Sequence, residues 1–227
     1  MPGTELARKG GGAVRVRVGI RLRAAERRAQ LLEVARRLFA RDGYRGASME
    51  AIAEAAGVTK PVLYQHFSSK RALYSALLAA DLRRLTEDLE AAFSQAEGNA
   101  ERLHRGFRAY LDFVDGHEDA FRLLFTEALA FDSDFQGQVA GFREWVADRI
   151  SAIIAAEAGL AEPRARTLAA AIVGMAEGAT GWWLDEDRPL PVADLAEELA
   201  GLAWKGFARF PGGHVGAPAS PAPPGTD

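Results

Sequence analysis

Apolar positions recur three and four residues apart along nearly the whole stretch from Leu22 to Phe210, the spacing that gathers them on one face of an α-helix. In the first such segment Leu31, Leu32, Ala35, Leu38 and Phe39 share a side. The Asp42-Gly43 pair is a stop signal, so a helix is expected from about Leu22 to Asp42. A second, short helix should open at Ser48, whose hydroxyl can cap free N–H groups, and close at Gly57. After a third, discussed below, further helices are expected over about 69–97, 99–116, 118–131, 134–159, 163–184 and 192–210. Gly98-Asn99, Asp115-Gly116, Gly159 and the Pro189 to Pro191 turn separate them. The expectation is an all-α chain of about nine helices. The one sustained alternation, "VRVRVGIRLR" (14–23), has no second strand to pair with and reads as part of a disordered basic arm, residues 1–21. The Pro/Gly/Ala-rich "PGGHVGAPASPAPPGTD" (211–227) reads as a disordered tail.

The third helix is the informative one. "VTKPVLYQHFS" (58–68) has room for about two turns, and isolated helices shorter than roughly 12 residues are marginal in water, so neighbours must support it. The preceding "AEAAGVTKPVL" (53–63) supplies helix-turn-helix spacing. Ala53 is small enough for close approach, Gly57 can take the left-handed conformation of a tight turn, and Val58 and Leu63 plug the angle between helices. Thr59 stands where an N-cap belongs. Pro61 then falls in the first turn, where its missing N–H has no intrahelical partner to lose. Leu63 and Phe67 lie on one side of this helix and Pro61, Tyr64, Gln65 and Ser68 on the other. A rigid outward face with a lysine, a glutamine and a phenol suits a reader of the DNA major groove.

Charge sharpens that reading. The net charge of −3 conceals 15 Lys/Arg against 6 Asp/Glu in residues 1–80, a net of +9, and 13 against 25 in the remainder, a net of −12. A basic end suits a polyanion. The chain has no cysteine, which removes disulfides and thiolate metal sites, and at 48% apolar it can bury a core. Nothing ahead of the first long helix resembles an apolar signal-peptide core, so a cytoplasmic protein is expected. The most membrane-like segment, "TLAAAIVGMAEGATGWWL" (167–184), contains Glu177, and a central acid costs about 2.5 to 3.5 kcal/mol on insertion, so a buried helix is expected and no membrane partner. H-E-x-x-H, G-x-S-x-G and G-x-x-x-x-G-K are all absent, and no enzyme, cofactor or metal is expected. The cluster Asp112, Asp115, His117, Glu118 and Asp119 spans a helix junction, where solvated charge is common.

Residues Ser48 to Leu78 resemble the DNA-binding segment of the tetracycline-repressor (TetR) family of bacterial transcription regulators. The likeness rests on "GVTKPVLYQHFSSKRALY" (57–74), and "LLEVARRLFARDGYRGASMEAIAEAAG" (31–57) agrees in spacing and residue type. It implies that Thr59, Lys60, Pro61 and Gln65 approach bases and that Tyr64, His66 and Lys70 hold phosphates, with Ser48 also at the DNA-binding segment. Chemistry agrees: Lys60 can donate to guanine, Pro61 can meet a thymine methyl, and phenol and imidazole can donate to phosphate oxygens. Lys70 opens the fourth helix, where N-terminal amides also favour phosphate.

The resemblance further implies a helix-turn-helix domain over 22–68, with its motif at about 48–67, followed by a regulatory and dimerisation domain over 69–210. Phe107, Tyr110, Phe113, Phe121, Phe125, Phe131, Phe135, Phe142, Trp145, Trp182 and Trp183 crowd that second part. Most aromatic residues on helices are core. An effector pocket drawn from Phe107, Tyr110, Leu111, Phe121, Phe125, Phe142, Trp145, Met175 and Trp182 is nonetheless expected, with Gly174, Gly178 and Gly181 lowering side-chain volume nearby. The chain also looks like actinobacterial regulators of lipid metabolism, some of which respond to acyl-CoA, so acyl-CoA and fatty acids are candidate effectors. Leu195, Leu199, Leu202, Ala203 and Phe207 form a stripe on the last helix, and Leu168, Ala171, Ile172, Met175 and Ala179 one on the helix before it. Paired across a two-fold axis they would make a four-helix homodimer interface.

The expectation is a dimeric repressor that binds a double-stranded DNA operator and leaves it when a small apolar or acyl-type effector binds. A DNA-binding or architectural protein acting through protein partners without small-molecule control is the alternative, and a helical carrier that binds no DNA is a third. Arg15, Arg17, Arg21 and Arg23 lack nearby acidic partners in the sequence. Deleting residues 1–18 should lower affinity for duplex DNA and flatten its salt dependence by roughly 0.9 log units per lost phosphate contact. A salt titration with an unchanged slope would show the arm to be a passenger.

Overall fold

A computed structural model describes residues 23–127 and 133–207. The basic arm, the C-terminal tail and Phe131 lie outside the described residues. Among the described residues nine α-helices follow one another: α1 (Ala24–Gly46), α2 (Met49–Ala55), α3 (Lys60–His66), α4 (Lys70–Ser94), α5 (Asn99–Gly116), α6 (Glu118–Arg122), α7 (Ser133–Ala158), α8 (Glu162–Asp185) and α9 (Val192–Phe207). No strand occurs among the described residues. One π-helical turn, Leu123–Glu127, continues α6, where sequence periodicity suggests plain α-helix as far as Phe131.

The expected stop at Asp42-Gly43 is a break in the helix, with one more short turn after it. Gly43 takes a positive φ of 69°, and the helix resumes to Gly46. The detour is fixed by what it delivers. Tyr44 enters a ring cluster with Phe39, Tyr74 and Phe135, its centroid 4.8 Å from that of Tyr74 and 5.6 Å from that of Phe135. Rings at such spacings and tilts attract beyond their buried area.

The cluster also shows how the N-terminal helices meet the rest. α4 is the shared element: Leu73, Tyr74, Leu77 and Leu78 are buried near its start, and Leu85 and Leu89 further along, where it runs beside α5. Its 25 residues span about 37 Å at 1.5 Å per residue. Arg36 of α1 reaches across to Asp81 of α4 through both carboxylate oxygens. Asp81 is only 4% exposed, and burial pushes its carboxyl above the ordinary carboxylate range although Arg36 pulls the other way. Arg71 and Asp134 form a second, exposed bridge, at 2.5 Å, between α4 and α7.

Removing one member of a buried pair strands the other, at about 3 to 5 kcal/mol. Arg36→Ala should therefore destabilise the fold by about 3 kcal/mol at neutral pH. The folded-state pKa of Asp81 is already raised, so its protonated form is relatively favoured in the native protein. Losing Arg36 raises it further, and the deficit should grow as pH rises from about 4 to 7. Denaturant titrations of both proteins at the two pH values check this; a deficit that shrinks with rising pH would contradict it.

Candidate nucleic-acid interface and apolar cavity

The turn between α2 and α3 forms as its residue types require. Gly57 has φ of +65°, its N–H reaches the Glu54 carbonyl, and the Val58 N–H reaches that of Ala53, both at 3.0 Å. Ala53 and Leu63 are buried at the crossing and Val58 packs against them. Ser48 caps α2, its hydroxyl accepting from Ala51 N–H at 3.1 Å. Thr59 occupies the cap position of α3 but its side chain makes no cap bond; only its carbonyl closes the first turn, accepting from Val62 and Leu63. Pro61 sits in that first turn.

Leu63 and Phe67 anchor α3 inward, while Thr59, Lys60, Pro61, Tyr64, Gln65 and Ser68 are exposed on the other side. The outward face expected from the sequence is thus present as a contiguous surface. His66 and Lys70 are half-buried. The Lys60 ammonium pairs with Glu50 of α2 and lies 5.9 Å from the centre of the Tyr64 ring. A phosphate or base acceptor approaching Lys60 competes with Glu50.

Long side chains hold this unit by its carbonyl ends. Lys70 donates to the carbonyls of Ala47 at 2.9 Å and Arg45 at 3.2 Å, and its ammonium lies 5.0 Å from the centre of the Tyr44 ring. Arg28 of α1 donates to the His66 carbonyl at 3.1 Å and stacks over Phe67 at 4.3 Å. Gln30 reaches the Ala56 carbonyl at 3.4 Å. Positive groups suit helix C-termini, whose last carbonyls lack intrahelical donors. Lys70, a phosphate holder by resemblance, therefore has a structural task as well.

A narrow apolar cavity, partly open to solvent, lies between α4, α5, α7 and α8. Its walls are Leu89, Phe93, Leu103, Gly106, Phe107, Tyr110, Phe142, Val146, Ile150, Ile172, Val173, Ala176 and Glu177. Phe93 separates it from an outer cleft that contains Trp145, Arg102 and Arg149. The Phe93 ring lies so close to Gly106 that a Cβ there would stand 2.6 Å from Cε1. Glu177 is held by a bidentate bridge from Arg143, at 2.7 and 2.5 Å.

Of the residues the sequence suggested for a pocket, Phe107, Tyr110 and Phe142 line it. Phe125 touches the Tyr110 and Phe142 rings from behind, at 6.5 and 6.2 Å. Leu111 and Phe121 are buried away from the cavity, and Trp145 belongs to the outer cleft. Met175 and Trp182 miss it because the lining face of α8 is 172, 173, 176 and 177; Trp182 is 59% exposed. Gly174, Gly178 and Gly181 are off the cavity too, each with open space where a Cβ would stand. What sequence reasoning missed was the contribution of α4 and the acid Glu177, whose position in an apolar helix signals a buried partner.

The supposed dimer stripes also divide. Leu195, Leu199 and Ala203 are buried within the chain, where α9 packs on α5, and Ile172 faces the cavity. Left exposed are Ala171, Gly174, Gly178 and Trp182 along one side of α8, with Leu202, 63% exposed, on α9. The side chain of Phe207 lies outside the described residues. Three acids of the junction stand in ion pairs, Asp112 with Arg108, Glu118 with Arg122 and Arg188, and Asp115 with Arg188, and the His117 ring meets the Phe113 carbonyl.

A profile described as bacterial regulatory proteins, tetR family, matches residues 31–77, and one described as a tetracyclin repressor-like C-terminal domain matches 100–206. The HTH-type transcriptional activator FasR of Mycolicibacterium smegmatis is 35% identical over 195 residues, 86% of this chain and 89% of its own. The HTH-type transcriptional repressor AcnR of Corynebacterium diphtheriae is 33% identical over 112 residues, 49% of this chain and 55% of its own. A TetR-like regulator from Rhodococcus sp. RHA1 superposes with a TM-score of 0.73 at 28% identity, covering 83% of this chain and all of that one. FadR of Bacillus subtilis, solved in complex with stearoyl-CoA, gives 0.66 at 16% identity over 77% of this chain and 96% of its own, a likeness of fold alone.

The two lysines should separate by stability. Lys70→Ala removes two bonds from a charged donor, each worth about 1.5 to 3 kcal/mol at most, and should lower the thermal midpoint measurably. Lys60→Ala breaks only an exposed pair and should leave it nearly unchanged. Melting curves that rank them the other way would refute the structural task given to Lys70.

Proposed function

The chain belongs to the tetR family of bacterial regulatory proteins, and from that premise we propose that it binds a duplex operator as a homodimer and is released by a small apolar or acyl-type effector. It is a DNA-binding transcriptional regulator and not an enzyme. The effector reading is carried by one observation: the apolar cavity has Leu89 and Phe93 of α4 in its wall, and the same helix begins at Lys70 beneath the reading helix. The complex of FadR with stearoyl-CoA is an example of an acyl-CoA held on this fold.

The mechanism follows from lever geometry. A dimer must present its reading helices about 34 to 36 Å apart to meet successive major grooves. Bulk wedged against Leu89 and Phe93 displaces one end of a rod about 37 Å long, whose other end follows directly on α3 and, through Lys70, holds the carbonyls of Arg45 and Ala47 ahead of α2. A coupling of about 1 to 3 kcal/mol suffices for a 5- to 150-fold change in affinity. The exposed side of α8, with its glycines and Trp182, and Leu202 of α9 form the surface for the second copy.

In the simplest case the bound dimer represses by occupying DNA that polymerase needs. FasR, an activator by name, favours a second reading in which the same bound dimer promotes transcription. Either sign leaves the effector chemistry unchanged.

Operators selected from random duplexes provide the test of the interface. Lys60→Ala and Gln65→Ala should relax base preference, each good bidentate contact being worth about 1 to 3 kcal/mol, whereas Tyr64→Phe should weaken all duplexes alike. Native mass spectrometry of the purified protein, followed by operator titration with the molecule found, tests the gating. The effector reading fails if no apolar compound or acyl-CoA shifts operator affinity while a partner protein does.

A further inference from the structure

Tyr110 is the residue of the cavity wall with a buried polar atom that lacks a well-formed hydrogen bond. It is 7% exposed, and its buried hydroxyl makes no well-formed hydrogen bond, although the Thr180 hydroxyl lies close enough to act on it; among the described residues no other buried side-chain nitrogen or oxygen is known to be in that position. A buried donor left unpaired costs about 1 to 3 kcal/mol, and phenylalanine would fill the same space without it. The buried Tyr74, by comparison, donates to the Leu123 carbonyl at 3.4 Å.

The groups around Tyr110 have their strong bonds elsewhere, and only the oxygen of Thr180 keeps a lone pair toward it. Thr180 donates to the Ala176 carbonyl at 2.7 Å, and both oxygens of Glu177 accept from Arg143. The rest of the wall is aliphatic or aromatic apart from Glu177. Any molecule filling the cavity is therefore apolar over most of its length, and the one donor it could draw on, once the phenol turns out from the wall, is Tyr110, beside one carboxylate.

That pairing selects for charge as well as polarity. Burial first, and the Glu177 charge second, push the Tyr110 phenol well above its ordinary range, so it stays protonated and donates. A ligand carboxylate beside Tyr110 would also sit near Glu177, which acts on the phenol more strongly than its partner Arg143 does, so the net field there disfavours a second negative charge. A carbonyl or hydroxyl oxygen accepts from the phenol without that penalty.

We infer that Tyr110 is the specificity-determining residue of the cavity, donating a hydrogen bond to an uncharged oxygen of a largely apolar effector such as an ester, a thioester, a ketone or an alcohol. This rests on the reading of the cavity as the effector site. It adds to that reading which oxygen chemistry the cavity accepts and which it rejects: a free fatty carboxylate seated head-first at Tyr110 is disfavoured.

Matched probes isolate the bond. Methyl dodecanoate, dodecanoate and dodecane share one chain and differ in their oxygens; their binding to wild type and Tyr110→Phe can be followed by intrinsic tryptophan fluorescence. Wild type should prefer the ester to both others. Tyr110→Phe should bind the ester about 3- to 10-fold more weakly, as expected for one net hydrogen bond, and dodecane unchanged. The ester-to-alkane ratio is a readout that general loosening of the cavity would not move, and ligand-free Tyr110→Phe should melt no lower than wild type. Equal ester binding by the two proteins, or a wild-type preference for dodecanoate, overturns the inference while leaving the cavity an effector site. Failure of both proteins to take any probe overturns the two together.

Discussion

A helix that ends within a folded chain leaves carbonyl groups facing no donor, and the N-terminal part of this protein is organised around supplying them. α3 is seven residues long, too short to hold itself. Its last carbonyl at His66 is met by Arg28, that of Ala56 before the turn by Gln30, and those of Arg45 and Ala47 ahead of α2 by Lys70. Two donors lie on α1 and the third opens α4. The angle at which α3 is presented is therefore set by two longer helices and not by α3 itself.

Those two helices are tied to each other in turn. Arg36 and Asp81 join them at a buried point, and Phe39, Tyr44 and Tyr74 join them through ring contacts that include Phe135 of α7. Tyr74 also donates to Leu123, the first residue of the π-helical turn, and Phe125 in that turn touches Tyr110 at the cavity. Packed side chains thus run without a break from the cavity wall to the support of the reading helix. Dense packing of this kind shifts between arrangements more readily than it deforms.

The parts legible in the sequence were those encoded by near neighbours. Gly57, Pro61 and the spacing of Ala53, Val58 and Leu63 are turn chemistry within about ten residues, and the order of helices followed from periodicity and punctuation. Features that depend on which helix lies opposite were not legible. Periodicity placed Leu195, Leu199 and Ala203 on one face but could not say that α5 of the same chain covers it. Aromatic size suggested Trp182 for the cavity, whereas the rotation of α8 turns Ile172, Val173 and Ala176 inward. Glu177 was evident as an anomaly in an apolar helix, but its partner Arg143 is 34 residues away in sequence. Lys70 and Ser69 looked alike as residues opening a helix, yet Ser69 caps its own helix while Lys70 reaches back to another.

The contact between Phe93 and Gly106 bears on how such a regulator diverges. A single added carbon at position 106 would force the ring aside, and that ring is the partition between the inner cavity and the cleft with Trp145, Arg102 and Arg149. The displaced atom is the far end of a flexible side chain, so the fold has room to absorb the change. On the proposed reading of the cavity as an effector site, gene duplicates would drift toward different signal molecules by retuning one small residue, while the outward face of α3, borne on other helices, stays as it was.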